Sequence, residues 1–444
     1  MKLFGTSGIR GMVGEEITPE FLERIGRTIA TYLGEANVAL AYDTRPSKDY
    51  IRSILTDSLT EYGCNVTDLG ILTTPGLAYL TRKLGFDTGI MITASHNPPE
   101  YNGIKLFDRT GMGYSQEDER AIESLFENPV GQNKSRGEIK KIDGRSVYVE
   151  ELLQHAKAPK KYRVVVDCSC GAASEIAPHV LRQLGHEVFE VNCLLDITKC
   201  NRDLETKPES LGEAIQELNY RRADIVACFD GDADRVLFAD KQGFIGYDEA
   251  IAFVSNLKLK EDSNRDVVTT VETGYILDDV VKKFNGEVTR TRVGDTPVAY
   301  ETKQRNACLG LESVGVYIHP EFGFFPASIY TLAYVLSKID NISEIRNEMV
   351  KLPKYYSKKI KIPCPNGKKT EIMQRTMPRL GELNYDSIND LDGFRLEYPD
   401  SWVLIRPSGT EPSIRVSGEC RDYEKLETLL GRSRKLVEES LCRQ

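Results

Sequence analysis

The sequence predicts an α/β protein: three related α/β domains whose loops face one cleft, followed by a smaller C-terminal α+β domain. Three observations carry this. Apolar runs of strand length alternate with helical patterns through most of the chain. The loops richest in chemistry follow directly on strands, where α/β sheets bind their ligands. Near Tyr355 the composition becomes Lys- and Pro-rich, in Pro353-Lys354-Tyr355-Tyr356-Ser357-Lys358-Lys359, and a different pattern follows.

Val38–Tyr42 reads as a strand ending in Asp43-Thr44-Arg45-Pro46, and Tyr50–Tyr62 as a helix stopped at Gly63. Gly89–Thr93 is the next strand and runs into Ala94-Ser95-His96-Asn97-Pro98-Pro99. Arg163–Val166 ends in Asp167-Cys168-Ser169-Cys170-Gly171, followed by the helical pattern Ser174–Leu184. Asp224–Phe229 ends in Asp230-Gly231-Asp232-Ala233-Asp234-Arg235. Asp266–Val271 and Ala307–Leu311 follow, the second ending at Glu312-Ser313-Val314-Gly315. Short strands at Gly393–Glu397, Trp402–Ile405 and Ile414–Ser417 and a helix from Tyr423 to Ser440 make up the last domain. The expected divisions are 1–153, 154–255, 256–353 and 354–444.

A length of 444 residues allows two to four domains at roughly 100–200 residues each. The net charge of −9 argues against nucleic-acid binding, which wants a basic face, but not against a small anion held by a local basic cluster. The ten cysteines contain no C-x-x-C pair and read as reduced thiols. Five histidines, none at ligand spacing from a cysteine pair, leave no zinc site. No signal-like start and no apolar stretch of about 18 residues are present. These features predict a cytoplasmic protein with no membrane partner.

Ser95 is the most informative residue. It follows a strand, sits on a turn stiffened by Pro98 and Pro99, and has His96 beside it. That setting suits a nucleophile or a carrier of a transferable group. Asn102-Gly103-Ile104-Lys105 lies close enough for Lys105 to fold back, to counter phosphate charge or move a proton.

Three further motifs bear on the chemistry. Gly5-Thr6-Ser7-Gly8-Ile9-Arg10-Gly11 lets backbone approach a ligand, and Arg10 can hold a phosphate or carboxylate. Asp230, Asp232 and Asp234 repel one another unless a cation neutralises them, and hard oxygen ligands suit Mg²⁺ or Ca²⁺. An EF-hand is excluded, because Arg235 and Lys241 stand where glycine and glutamate are needed. In Arg406-Pro407-Ser408-Gly409-Thr410-Glu411-Pro412, with Arg415, convergent donors suit a phosphate dianion. Together the motifs imply phosphoryl transfer to and from a serine.

On these residues, with Tyr101–Lys105 and Val293-Gly294-Asp295, the chain resembles the α-D-phosphohexomutases over essentially its whole length. It is most similar to the archaeal phosphoglucosamine mutase and phosphomannomutase/phosphoglucomutase types. The resemblance implies three α/β domains with mixed sheets and a C-terminal α+β domain around a central cleft. It implies a phosphoserine at Ser95, with Arg10, His96 and Lys105 around the reacting group. One Mg²⁺ per chain would be held by Ser95, Asp230, Asp232 and Asp234, with Arg235 supporting the loop. Gly294, Asp295, Glu312, Arg406, Ser408, Gly409, Thr410 and Arg415 would bind a small phosphosugar. A sugar 1,6-bisphosphate would serve as intermediate and activator, in a monomer or homodimer.

Some stretches depart from the family pattern. The sugar-reading loop is Glu312-Ser313-Val314-Gly315-Val316, and Val314 can neither donate nor accept a hydrogen bond. Gly323-Phe324-Phe325-Pro326-Ala327-Ser328 lacks the usual Asp-Gly, and Cys200–Lys207 lacks Pro-Glu-Pro. Losing polar groups from a sugar site bears on selectivity more than on chemistry. Phosphoglucosamine mutase is therefore the first expectation. Phosphomannomutase/phosphoglucomutase or phosphopentomutase activity, a phosphatase, and a non-catalytic sugar-phosphate sensor stand as alternatives.

Overall fold

A computed structural model describes residues 3–5, 8–127, 135–409 and 411–442. Two compact units divide it: Met1–Ala250 with Val314–Glu344, and Ile251–Ser313 with Ile345–Gln444. The architecture is that of three α/β domains with mixed sheets and a C-terminal domain built on an antiparallel sheet.

The first sheet of the first unit has six strands, in the order Ile9–Met12, Tyr101–Asp108, Thr88–Ile92, Asn37–Tyr42, Asn65–Ile71, Ile139–Lys141. Its centre is parallel and fully buried, which explains the near-continuous apolar runs Val-Ala-Leu-Ala and Ile-Met-Ile. Helix Pro19–Leu33 starts at Thr18, whose hydroxyl accepts from Phe21 N, and lays Leu22, Ile25 and Ile29 on the sheet. Tyr101–Asp108, which the sequence does not announce as a strand, is antiparallel to both of its neighbours. The Ser95 loop is therefore a hairpin connection.

The second sheet repeats the device. Arg163–Asp167, Glu187–Val191 and Ile225–Phe229 are parallel, and Val236–Asp240 turns back antiparallel with Val236 opposite Phe229. Asp230–Arg235 is the loop of that hairpin. The expected helix Ser174–Leu184 is shorter, Ala177–Gln183, because the preceding residues form turns under Pro178.

In the second unit, Val267–Thr270 pairs in parallel with Val288–Thr291 and Leu309–Glu312. The C-terminal sheet is antiparallel throughout, in the order Tyr356–Pro363, Ser413–Cys420, Ser401–Pro407, Phe394–Tyr398, Ser387–Asn389. Helices Lys369–Thr376 and Tyr423–Cys442 cover it through Ile372, Leu426, Leu430 and Val437. Among the described residues no helix is long and apolar enough to cross a membrane. All ten cysteines are free thiols.

Candidate functional site

The first unit gathers the serine and aspartate loops. Ser95 is fully buried, not the exposed hydroxyl that its turn suggests, and its φ of 52° is left-handed. Holding a serine there costs on the order of 1–3 kcal/mol, so the surroundings must impose it. Arg45 does so. Its guanidinium donates to the carbonyls of Ser95 (2.8 Å), Asn97 (2.7 Å), Pro98 (2.5 Å) and Tyr101 (2.8 Å). Its Nε donates to Asp43 at 3.1 Å. Asp43 also accepts from Thr93 Oγ1, which in turn accepts from Ser95 N. Sequence reasoning noted Asp43-Thr44-Arg45 as a strand end and missed this role. A charged pair one residue apart at a strand end was the available signal.

Ser95 Oγ donates to Asp230 Oδ2 at 3.0 Å and lies 3.4 Å from His96 Nδ1. Lys105 stands opposite Met91 in the hairpin, and its ammonium donates to Asp232 Oδ2 at 2.7 Å and Asp234 Oδ2 at 2.8 Å. Arg10, opposite Gly103 on the neighbouring strand, donates to Asn97 Oδ1 at 3.0 Å. Arg235 N donates to Asp230 Oδ1, and its side chain is 3.7 Å from Asp234. Arg10, Ser95, His96, Lys105, Asp230, Asp232, Asp234 and Arg235 are thus brought together. Thr6 and Ser7 of the N-terminal motif lie outside the described residues.

Electrostatics follow from the burial. Desolvation, reinforced by Asp234 and Asp232, pushes the Asp230 carboxyl well above the usual range. Burial also acts to raise Asp234, but Lys105 and Arg235 outweigh it and leave that group below the usual range. Burial, then the positive charges of Arg235 and Arg10, lowers His96 to about 2, so the imidazole is neutral. The three aspartates place carboxylate oxygens within 4.8 Å of one another. Asp232 and Asp234 each keep one buried oxygen, Oδ1, with no hydrogen-bond partner among the described residues. Buried, unsatisfied oxygens of this kind fit a hard divalent cation.

Unpredicted contacts hold the aspartate loop. Thr74 Oγ1 donates to Asp232 Oδ2 at 2.5 Å, and Ser328 Oγ donates to the carbonyl of Ala233 at 2.5 Å. Ser328 ends the stretch that lacks Asp-Gly. Arg202, in the stretch that lacks Pro-Glu-Pro, pairs with Asp167 at 2.9 Å and donates to the Phe229 carbonyl at 2.9 Å. It braces the strand end before Asp230 much as Arg45 braces Ser95.

The second unit gathers the remaining residues. Arg406 and Arg415 are directly opposed across the hairpin that carries the 408–412 loop. Arg406 is engaged by carboxylates, Glu272 at 2.8 Å and Asp392 at 3.2 Å. Arg415 pairs with Glu411 at 3.0 Å. Ser408 is buried and its Oγ accepts from Glu411 N, while Gly409 is exposed. Thr410 lies outside the described residues. Lys369, another unpredicted residue, donates to the carbonyls of Ser408 (2.6 Å) and Glu411 (2.5 Å) and fixes the loop from below. Glu312 Oε2 accepts from Gly294 N at 3.1 Å, and Asp392 accepts from Val293 N at 3.1 Å. Asp392 thereby joins the Val293–Gly294 turn to Arg406. Asp295 opens helix Asp295–Arg305 and is half-buried.

The sequence matches the phosphoglucomutase/phosphomannomutase alpha/beta/alpha domains I, II and III over residues 1–131, 146–243 and 247–355. The C-terminal domain of the same family matches over 360–435. It is 37% identical over 447 residues to a protein of Thermococcus kodakarensis named "Probable phosphoglucosamine mutase", covering 99% of each chain. It is 39% identical over 436 residues to a protein of the same name from Methanopyrus kandleri, covering 96% of each. The fold is similar to the crystal structure of a phosphoglucomutase/phosphomannomutase family protein from Burkholderia thailandensis, with a TM-score of 0.88 and 25% identity. That match covers 99% of this chain and 97% of the other.

Proposed function

Because this chain belongs to the phosphoglucomutase/phosphomannomutase family and is an isomerase of the phosphohexomutase class, we propose that it interconverts the 6- and 1-phosphates of glucosamine through a phosphoserine at Ser95. The observation that carries this reading is Ser95 Oγ at 3.0 Å from Asp230, with Asp232 and Asp234 in the same cluster. The glucosamine assignment is supported by the names of the full-length relatives.

Phosphorylated Ser95 gives its phosphoryl group to the free hydroxyl of a bound sugar phosphate. The P–O bond to Oγ breaks, and a new one forms to the sugar oxygen. The hydroxyl proton passes to a general base within reach of the sugar hydroxyl. The sugar 1,6-bisphosphate reorients, and its other phosphoryl group returns to Oγ. Asp230, Asp232, Asp234 and Ser95 would hold Mg²⁺, which when bound would neutralise charge on the transferring group. Lys105 holds Asp232 and Asp234 in register and brings positive charge to the site. Arg45 keeps Oγ in one position, and burial of the serine excludes water from the phosphoester. Arg406, Ser408, Gly409, Thr410 and Arg415 grip the phosphate that does not react, and Gly294, Asp295 and Glu312 face sugar hydroxyls.

The test combines intact mass with a substrate panel. The protein is treated with glucose 1,6-bisphosphate and Mg²⁺, then assayed on glucosamine, mannose, glucose and ribose phosphates. The expected result is one added phosphate that Ser95→Ala lacks, with fastest isomerisation of glucosamine phosphate. No phosphate on Ser95 overturns the mechanism. A faster rate on another sugar overturns the substrate.

A further inference from the structure

Strand Val267–Thr270 ends in the turn Val271-Glu272-Thr273-Gly274. The fully buried Arg395 donates to the carbonyls on either side of Glu272, Val271 at 2.6 Å and Thr273 at 2.9 Å. Val271 N donates to the Thr291 carbonyl at 3.0 Å, which ties the same turn to the neighbouring strand. The Glu272 backbone is thus fixed before any ligand arrives. Its carboxylate meets Arg406 Nη1 at 2.8 Å, and Asp392 meets Arg406 Nη2 at 3.2 Å. The two carboxylate side chains are 11% and 20% exposed, against 8% for Arg406. Burial acts to raise Glu272, but Lys359 and Arg406 outweigh it and keep the group ionised at neutral pH.

Two carboxylates on one guanidinium are a poor setting for a phosphate that brings only negative charge. A dianion on Arg406 stands against both, and like charges in a largely desolvated site cost affinity. Lys359 offsets part of this, but it is exposed and lies 3.4 Å from Glu272. Donors for an anion remain, because Arg406 Nε and Arg415 Nε are buried with no hydrogen-bond partner among the described residues. What the site lacks is a cation for the carboxylates that a phosphate displaces. Glucosamine 1-phosphate carries one. Its ammonium sits on the carbon next to the one that bears the phosphate, so both groups reach the guanidinium and its carboxylates together. A neutral sugar 1-phosphate has only a hydroxyl there. In the 6-phosphate the amine is remote from the phosphate.

We propose, resting on the phosphate-binding role given above to Arg406, that Glu272 is a specificity-determining residue: when Arg406 holds the phosphate of a sugar 1-phosphate, Glu272 accepts from the ammonium on the adjacent carbon and so selects amino sugars over neutral ones. The exchange conserves charge pairing. Arg406 trades a carboxylate for the phosphate, and Glu272 trades the guanidinium for the ammonium. Glu272 is the first acceptor because Asp392 is also engaged by Val293 N, at 3.1 Å, and is less free to turn. The selection acts on one end of the substrate only. With the 6-phosphate on Arg406, the ammonium is out of reach and Glu272 merely opposes the anion.

The test is titration calorimetry on the full-length Ser95→Ala protein with Mg²⁺, which removes the phosphoryl carrier so that binding is read without turnover. The probes are the 1- and 6-phosphates of glucosamine and of glucose. The expected result is a preference for glucosamine of about tenfold in the 1-phosphate pair and little in the 6-phosphate pair. Adding Glu272→Gln should abolish the first preference, weakening glucosamine 1-phosphate and tightening glucose 1-phosphate. An equal preference in both pairs, or none in the 1-phosphate pair, overturns the proposal with Glu272 still in place, so the proposal does not depend on the variant folding. A preference that survives Glu272→Gln overturns it too. So does an equal fall in affinity for both 1-phosphates, which is what a damaged loop alone would give. Failure of the proposed reaction reads differently, as no phosphate on Ser95 or faster turnover of another sugar, and these binding comparisons need neither.

Discussion

Arg45 donates to the carbonyl of Ser95 at 2.8 Å from a fully buried position, with Asp43 as its counter-charge. One guanidinium satisfies four loop carbonyls and leaves Oγ in a backbone conformation that serine rarely adopts. Arg45→Met leaves Asp43 buried without its counter-charge, held by the Thr93 hydroxyl alone among the described side chains, and should cost about 3–5 kcal/mol of stability. Arg45→Lys keeps the charge but loses the fork. It should fold, and Ser95 should be phosphorylated much more slowly. Urea denaturation and the time course of the intact-mass shift check both. Wild-type phosphorylation in Arg45→Lys would remove the positioning role.

Lys105 supplies the positive charge that Asp232 and Asp234 need. In Lys105→Met, two buried carboxylates lose their ammonium, at an expected cost of about 3–5 kcal/mol without divalent cation. Mg²⁺ binding to the native state should restore part of this by linkage. Melting curves in chelator and in Mg²⁺ should show a larger cation-dependent rise in Tm for the variant than for the wild type. Equal rises would count against a cation on these carboxylates.

Glu272 occupies Arg406, the residue assigned to the phosphate of the substrate. Burial acts to raise the Glu272 carboxyl, but Lys359 and Arg406 outweigh it and hold it below the usual range. A depressed acid stabilises the fold above its unfolded pKa, and that stabilisation is lost as pH falls through the folded value. The stability difference between wild type and Glu272→Gln should therefore shrink as pH falls from about 6 to about 3. At neutral pH, Glu272→Gln removes one of the two carboxylate charges on the guanidinium, with Asp392 left in place, and should bind inorganic phosphate more tightly. Titration calorimetry with phosphate would expose the opposite result.

Lys369 is the only donor that the structure gives to the Ser408 carbonyl among the described residues. Lys369→Met should cost about 1–3 kcal/mol, through the Ser408 carbonyl, which loses its donor, while the Glu411 carbonyl keeps Ser413 N. It should raise KM for the sugar phosphate more than it lowers kcat, because the loop grips a phosphate that does not react. Amide exchange across residues 408–413 should speed up in parallel. A selective loss of kcat would place Lys369 elsewhere in the reaction.

The three loops that carry the chemistry were legible because each breaks a strong apolar strand with residues a strand cannot use. Ser95 precedes two prolines, Asp230–Asp234 repeats a carboxylate at alternate positions, and Arg406–Pro412 packs donors between prolines. Their nature as hairpins was not legible. The return strand Tyr101–Asp108 starts with Tyr-Asn-Gly, which resembles a turn, and becomes a strand only because it is paired on both edges. Arg202 and Lys369, and the carbonyls that Arg45 reaches beyond its neighbour Asp43, were not legible for a related reason. A buried cation is specified by the carbonyls and carboxylates around it, and those come from distant positions in the chain.

The sequence by itself determined the alternation of strands and helices, the family, and the side chains available for phosphoryl transfer, because these depend on residue type and short-range spacing. Only the tertiary structure decided that Ser95 is buried against Asp230, that Lys105 pairs with two aspartates, and that Arg406 is held by Glu272. Each of those pairs joins residues far apart in the chain. Their existence depends on sheet register and on the desolvation that close packing imposes, and neither quantity is written in any local stretch of residues.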